Sequence, residues 1–598
     1  MTSGECDWPA KPKTRLVAGF ELLESRRLTG PNLFWNHPGA VIDLAVPIES
    51  DAAALGRLWE EEARRRLHAV GWDEQRTRAR TFTGGISLVL SAPLDALYGA
   101  CELNEMALAA AQDRFHTGVE PSAPPKSELE KLLATIAEEV NPPLLALKHA
   151  AEERDVAFLS DDDLASVGLG TGSMSWPVDA LPDPSDVAWD EVHDVPVLVV
   201  TGTNGKTTTV RLLASIARAA GLVAGSTSTD GITIGADLVD AGDWSGPGGA
   251  RAVARDRRVE IVLLEAARGG LLRRGLGVVG ADAAAITNVA EDHMGEFGVS
   301  DLDELADVKM VVTRAAERGA VVLNADDEHL TAAVKRRDEA GGDPLQITWC
   351  TLQPGRPEIQ AHLAAGGLVC TVNGSELVIL EGGERTHVSS LSEVPVCLSG
   401  AARHNVYNAL TATGMARAVG VSATDIASGL AALGGSADDN RGRGNFFRFG
   451  TTTALVDFAH NPHGLTALGH MVDQLPHERL LVAIGQAGDR DDHAIRALAR
   501  AALEMRPDRI LIKELDPYRR GRQPGEVPGL LEDELRKSGA SADSWARADS
   551  ETGAARMALS WAQEGDMLVL TVQSEQDEII AMMSDLERAG WRAGAPLP

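Results

Sequence analysis

The segment Val200-Thr201-Gly202-Thr203-Asn204-Gly205-Lys206-Thr207-Thr208-Thr209 constrains this chain more than any other. It stands between an apolar run over 195–200, which reads as a buried strand, and a stretch with apolar residues at Val210, Leu213 and Ile216, the spacing of an amphipathic helix. A strand that turns through two glycines directly into a helix belongs to α/β architecture. Gly202 and Gly205 let the loop curl until backbone N–H groups face an anion, and the helix N-terminus adds positive potential. Lys206 then neutralises β/γ-phosphates, and the Thr207 hydroxyl takes a Mg2+ position. The full P-loop spelling has a glycine where this chain has Val200, so the motif is the shorter G-x-x-G-K-T form.

The surrounding pattern supports such a fold. Runs at 259–264, 283–287 and 320–323 are short, β-branched and nearly uninterrupted, as in strands buried on both faces, and the intervening segments have helical length. That alternation predicts a mostly parallel sheet covered by helices. Residues 345–400 read instead as short strands and turns, a small sheet inserted before a helix over 405–419. A second α/β series begins near residue 440, with strands at 454–458, 480–484, 509–513 and 567–572. Upstream, Arg27-Leu28-Thr29-Gly30-Pro31-Asn32 leads into a strand over 41–46, a charged helix near 58–68 and an apolar segment at 86–90. Residues 118–126, with Pro121, Pro124 and Pro125, read as a loop, and Ser127-Glu128-Leu129-Glu130 has capping-box spacing for a new helix. Pro177, Pro182 and Pro184 mark a linker. The expected organisation is multidomain α/β: an α+β N-terminal domain (1–175), a linker (176–194), a central domain with a P-loop parallel sheet (195–438) and a C-terminal Rossmann-like α/β domain (439–598).

Length and composition agree. A chain of 598 residues suggests about three to five domains. With 56 Lys+Arg against 87 Asp+Glu, the net charge is −31, which argues against general binding to nucleic acid or a membrane surface while leaving room for a local anion pocket. The five cysteines, Cys6, Cys101, Cys350, Cys370 and Cys397, are widely spaced without a C-x-x-C pair, so neither a disulfide framework nor a structural zinc site is expected. The polar stretch 1–15 has no apolar signal core, and no run of 18 apolar residues appears. A cytoplasmic location follows as the expectation.

Two further segments fall at strand ends, where open α/β sheets bind ligands. Glu265 closes one strand, where a carboxylate can complete the coordination of a phosphate-bound Mg2+. Thr287-Asn288-Val289-Ala290-Glu291-Asp292-His293 follows the next. Taken singly, Glu265 reads as a solvated strand end and His293 as a loop histidine; their repeated placement beside the phosphate loop gives them weight.

Gly202–Thr207, Thr287-Asn288…Asp292-His293, Asn324-Ala325-Asp326-Asp327, His404-Asn405-Val406-Tyr407-Asn408 and Gly442-Arg443 occur in the order found in the Mur ligases, and the chain resembles that family. Within it, the likeness over about 195–575 is to the Mur-ligase-like half of cyanophycin synthetases. It is carried by Ser228-Thr229-Asp230-Gly231, Glu265-Ala266-Ala267-Arg268-Gly269-Gly270, Asp457-Phe458-Ala459-His460-Asn461-Pro462, Gly488-Asp489-Arg490 and Arg520-Gly521-Arg522. Arg27–Asn32 resembles the leading domain of those synthetases, yet the ATP-grasp domain that follows it there is missing between residue 170 and the P-loop. The resemblance implies an ATP- and Mg2+-dependent, ADP-forming amide ligase that does not polymerise alone. It would activate a small-molecule or peptide carboxylate as an acyl phosphate and couple it to an amino-acid amine.

The same resemblance implies roles. Gly202, Thr203, Asn204, Gly205, Lys206, Thr207 and Thr208 would cradle ATP. Thr207 and Glu265 would hold a first Mg2+, and His293 a second together with Lys309, matching a lysine that is often carbamylated in the family. Asn288 would position the phosphate end, Arg443 would contact phosphate and Asp457 ribose. Arg268 and His460 are weaker candidates at the acceptor site. His404, Asn405 and Asn408 serve either the nucleotide or the packing of their helix on the sheet. The family suggests a homo-dimer or tetramer. Alternatives are one subunit of a split synthetase with a separate ATP-grasp partner, a regulatory paralogue, and a P-loop phosphotransferase.

Overall fold

The computed structural model describes residues 20–47, 50–119, 124–434, 436 and 439–597. The stretch 1–15, Cys6 and Pro121 lie outside them. The P-loop strand Val197–Thr201 is wholly buried near the middle of an eleven-stranded sheet. Ile261–Glu265 and Ala283–Ile286 flank it in parallel, and Ala320–Asn324 extends the parallel set. Their uninterrupted apolar runs follow from burial on both faces: Val199, Val262 and Ile286 enter one core, and Leu198, Leu263 and Ala285 the other. Strands Ala224–Thr227, Gly231–Ile234 and Asp237–Ala241, which the sequence did not announce, finish one edge.

The separate small sheet expected over 345–400 is corrected. Gln346–Thr351 pairs in parallel with Ala320–Asn324, and Leu368–Asn373 pairs in parallel with it in turn. The antiparallel strands Glu376–Glu381 and Glu384–Ser390 then complete the same sheet. Alternating apolar residues mark a strand but do not say which edge it joins. Helix Arg403–Ala418 packs across this extension.

A six-stranded sheet follows, ordered Asn445–Phe449, Thr452–Asp457, Met567–Thr571, Leu480–Ile484, Arg509–Lys513 and Trp545–Ala548. All its pairings are parallel except the first. Upstream, four antiparallel strands carry helices Ala52–Ala69 and Leu97–Thr117 around the buried Trp59, whose indole N–H donates to Asn104 Oδ1 at 2.9 Å. The capping box at Ser127 does not form: the helix spans Lys126–Glu139 with Pro125 as its N-cap residue and no side-chain cap bond. A three-stranded sheet, Phe158–Ser160, Leu164–Val167 and Met174–Pro177, comes next, and residues 178–196 lead from it to the P-loop strand with no intervening domain.

The Leu28–Asn32 segment docks directly on the central sheet's domain. Thr29 N–H donates to Arg274 O (2.9 Å), Leu276 N–H donates to Pro31 O (2.7 Å), and Arg26 donates to Leu272 O (3.1 Å). A Cβ on Gly30 would sit 2.2 Å from Leu276 O, and one on Gly275, at φ +84°, 2.5 Å from Pro31 O. The two backbones touch with no side chain between them. Among the described residues no helix is long and apolar enough to cross a membrane, and the four described cysteines are buried and free.

Candidate functional site

The carboxyl ends of the central strands open on a cleft of about 2250 Å3. It is closed on the far side by the loops of the six-stranded sheet. All the sequence-derived site residues line it. Gly202 adopts φ +147° against Thr287, where a Cβ would meet the hydroxyl at 1.9 Å. Gly205, at φ +88°, is the N-cap residue of helix Lys206–Ala219 and offers no side-chain cap, so the first helical N–H groups stay open to a ligand. Asn288 clamps the loop: its Oδ1 accepts from Asn204 N–H (3.0 Å) and its Nδ2 donates to Asn204 O (2.9 Å). Thr287 also donates to Asn204 O, at 2.6 Å. Asn288 therefore acts by holding the loop's shape. Lys206 folds back on the carbonyls of Thr203 (3.0 Å) and Gly202 (3.2 Å).

Thr207 Oγ1 donates to Glu265 Oε2 at 2.8 Å, while buried Glu265 Oε1 has no partner. Burial raises the Glu265 carboxyl above its usual range, although Lys206 and the Thr207 hydroxyl pull the other way. A hydroxyl and an orphaned carboxylate oxygen beside the phosphate loop fit a hard divalent cation. Lys309, at the end of helix Leu302–Lys309, is buried. Burial, reinforced by Lys206, depresses its amine well below the usual lysine range. It makes no hydrogen bond or ion pair among the described residues.

His293 is placed differently. At φ +53° it projects from its loop toward the second α/β unit, where Arg490 Nη2 lies 2.7 Å from Nε2 and Nη1 lies 3.1 Å from Nδ1. Glu296 Oε1 is 3.1 Å from Nδ1, and Arg268 pairs with Glu296 and donates to the His293 carbonyl. A cation at either ring nitrogen would meet the Arg490 guanidinium, so this arrangement does not fit a His293-bound metal. Among the described residues no cluster of three or more His, Cys, Asp or Glu is gathered as a ligand set. Asp292 lies beside His460 (3.4 Å) and Arg490 (3.2 Å). Burial alone would raise its carboxyl, but His460, Arg490 and His293 hold it far below the carboxylate range.

From the other side, Arg443 stacks 4.1 Å from the Phe458 ring centroid. Asp457 accepts from Gly444 N–H and Ala459 N–H, both at 2.8 Å, while its burial outweighs Arg443 and raises its carboxyl. Asn461 and Asn204 exchange side-chain amide bonds (3.1 and 3.2 Å) across the domain junction. Asn408 bonds Asn405 (3.0 Å), which in turn donates to Val396 O (2.9 Å), and Asn408 Oδ1 backs Gly205. Asn405 thus ties the start of the helix to the preceding turn, and Asn408 backs the phosphate loop. His404 is held neutral, its value lowered by burial to about 4. Sequence reasoning quoted Thr287, Asn461 and Arg490 within the motifs but gave them no role; each follows the carboxyl end of a strand, a second signal beside the motifs.

Residues 200–416 match the Mur ligase middle domain, and residues 442–572 match the Mur ligase glutamate ligase domain. The chain is 38% identical over 381 residues, 64% of its length, to a cyanophycin synthetase of Crocosphaera subtropica, and this covers 42% of that protein. The chain thus spans less than half the length of the cyanophycin synthetases it matches. It is 26% identical to a UDP-N-acetylmuramoyl-L-alanyl-D-glutamate–2,6-diaminopimelate ligase of Geobacillus thermodenitrificans, over 71% of this chain and 83% of that one. The solved structure of E. coli FolC with DHPP and ADP aligns with a TM-score of 0.47 and 21% identity, over 66% of this chain and 89% of that one. With both of their characteristic domains following one another in order around this cleft, the chain belongs to the Mur ligases.

Proposed function

We propose that this protein is an ATP-dependent, ADP-forming carbon–nitrogen ligase that joins a small-molecule or peptide carboxylate to an amino-acid amine. The observation that carries the reading is the convergence of Lys206, Thr207 and Glu265 from neighbouring central strands with Arg443 and Asp457 from the second sheet, around one cleft. In this reading a substrate carboxylate oxygen attacks the γ-phosphorus of ATP, releasing ADP and forming an acyl phosphate. The amine then attacks the acyl carbon, loses a proton, and phosphate departs with the C–O bonding pair. Both first reactants are anions, so Lys206 and Arg443 act by neutralising charge where they meet. Thr207 and Glu265 would hold Mg2+, which supplies further neutralisation at the phosphate oxygens. Lys309, kept as a free amine by burial, is suited to take up CO2 as a carbamate. Closure of residues 439–598 over the central domain 195–438 would exclude water from the acyl phosphate.

This reading includes a cytoplasmic homo-dimer or tetramer that does not polymerise by itself, since residues 178–196 pass directly from the small sheet to the P-loop strand. The test is ADP release from Mg-ATP with carboxylates (aspartate, short aspartyl peptides) crossed with amino acids, and Lys206→Ala as control. ADP formed only when carboxylate and amine are both present, with the mass of the condensed product, is the expected result. ADP formed with a hydroxyl acceptor alone would favour a phosphotransferase instead.

A further inference from the structure

The cleft continues past the phosphate loop to the junction with the N-terminal region, where Arg27, Thr29, Arg251, Arg273 and Arg274 line it. The charges along this stretch are unevenly matched. Asp162 takes Arg27 in a two-point contact (2.7 and 2.9 Å), Asp161 pairs with Arg255, and Glu24 lies 3.6 Å from Arg26. Arg251 is buried, yet its one hydrogen bond runs from Nη2 to Thr29 Oγ1 at 2.8 Å. Arg273 and Arg274 make no side-chain hydrogen bond or ion pair among the described residues; Arg273 only lies 5.6 Å from the Phe297 ring centroid. Burial lowers Arg251 to about 10, and burial with the nearby Arg27 lowers Arg274. Asp161, Asp162 and Glu24 act on Arg251 and Arg274 only from beyond contact distance, and Asp161 and Asp162 are already engaged by Arg255 and Arg27, so three guanidinium groups on one wall have no carboxylate bonded to them among the described residues.

We propose that the carboxylate substrate carries further carboxylates beyond the one that reacts, and that Arg251, Arg273 and Arg274 bind this acidic tail. A guanidinium presents a planar fork of donors that matches a carboxylate at two points. The site is anchored on both sides: Thr29, which orients Arg251, belongs to the segment whose backbone bonds to Arg274 and Leu276. The docking of that segment therefore builds the pocket as well as joining two domains. Identifying the bound tail as part of the reacting molecule rests on the ligase reading; the binding itself does not.

The experiment measures fluorescence anisotropy of labelled tetra-aspartate and tetra-asparagine on the full chain, in excess Mg-ADP so that the phosphate loop is filled. Tetra-aspartate is expected to bind and tetra-asparagine to bind at least tenfold more weakly. Arg273→Ala/Arg274→Ala should weaken tetra-aspartate by about tenfold. Arg273→Ala alone, at an exposed position, tests the same site without risk to the fold, and a threefold loss or more is expected. Equal binding of the two peptides, or unchanged affinity in the arginine variants, would overturn the proposal. Selective tetra-aspartate binding without ADP release by wild type and any substrate pair would instead sink the ligase reading and leave the acidic site standing.

Discussion

Glu265→Gln should make the metal-free protein more stable and nearly abolish turnover. The carboxylate is buried, Oε2 is satisfied by Thr207, and Oε1 faces no donor. Its raised value means that desolvation outweighs the attraction of Lys206. Glutamine keeps the Thr207 bond through its carbonyl oxygen and places a neutral amide where the unpartnered oxygen was. Removing an uncompensated buried charge of this kind is worth about 1–2 kcal/mol, or a Tm increase of about 2–8 °C in a unit of this size. The sign with pH follows from the direction of the shift. Below the ordinary value of 4.5, glutamate is protonated in both folded and unfolded chains and the variant gains little. As pH rises from 4.5 toward the raised folded value, the unfolded wild-type chain gives up its proton while the folded one keeps it, so wild type loses stability and the gap in Tm widens; above the folded value the carboxyl is ionised in both states and the gap levels off. Thermal unfolding in EDTA without nucleotide, from about pH 4.5 to pH 8, reads this directly. Turnover should fall by about 100-fold or more, because the charge that would hold Mg2+ is gone. A variant less stable than wild type at pH 7.5, or one retaining over a tenth of the turnover, would refute this account of Glu265.

Gly205→Ala forces a Cβ onto a φ of +88° and to 2.2 Å from Asn408 Oδ1; a loss of about 1–2 kcal/mol in chemical denaturation is expected, partly recovered by adding Asn408→Ala. Asn461→Ser keeps a side-chain oxygen to cap helix Pro462–Val472 but cannot reach Asn204. Steady-state kinetics should show KM for ATP raised about fivefold with Tm unchanged. Lys309→Ala should lower turnover at least tenfold, with partial recovery in formate or acetate; intact mass in bicarbonate should show one added CO2 on wild type that is absent from the variant and lost on acidification.

What could be read from the sequence was whatever depends on neighbours along the chain. The strands at 480–484 and 509–513 fall where the apolar runs put them, and the phosphate loop announces itself because its glycines, lysine and threonine act within one turn. Capping at Ser127 was misread because Pro125, held at φ −55°, takes the N-cap position and starts the helix two residues earlier. Strands 346–390 were legible as strands, but their membership of the central sheet depends on a lateral neighbour 20 or more residues away. The same limit hid the partners of the site residues. Nothing near His293 in the sequence indicates Arg490, 197 positions on, and the motif at Arg27–Asn32 does not reveal that its backbone meets Arg274.

The meeting at Gly30 and Gly275 joins the two domains separately from residues 178–196, which pack Val187, Trp189 and Val192 against the small three-stranded sheet. Two backbones in contact, joined by main-chain hydrogen bonds and by Arg26, form a clasp independent of the peptide that connects the domains. A cut within 178–196 would leave this clasp in place, together with the Arg80–Glu304 and Arg255–Asp161 pairs, while a bulky residue at either glycine would open the clasp itself with every covalent bond intact. For anyone building chimaeras of this protein, the unit of exchange is the clasp, with both its glycines carried across as a pair.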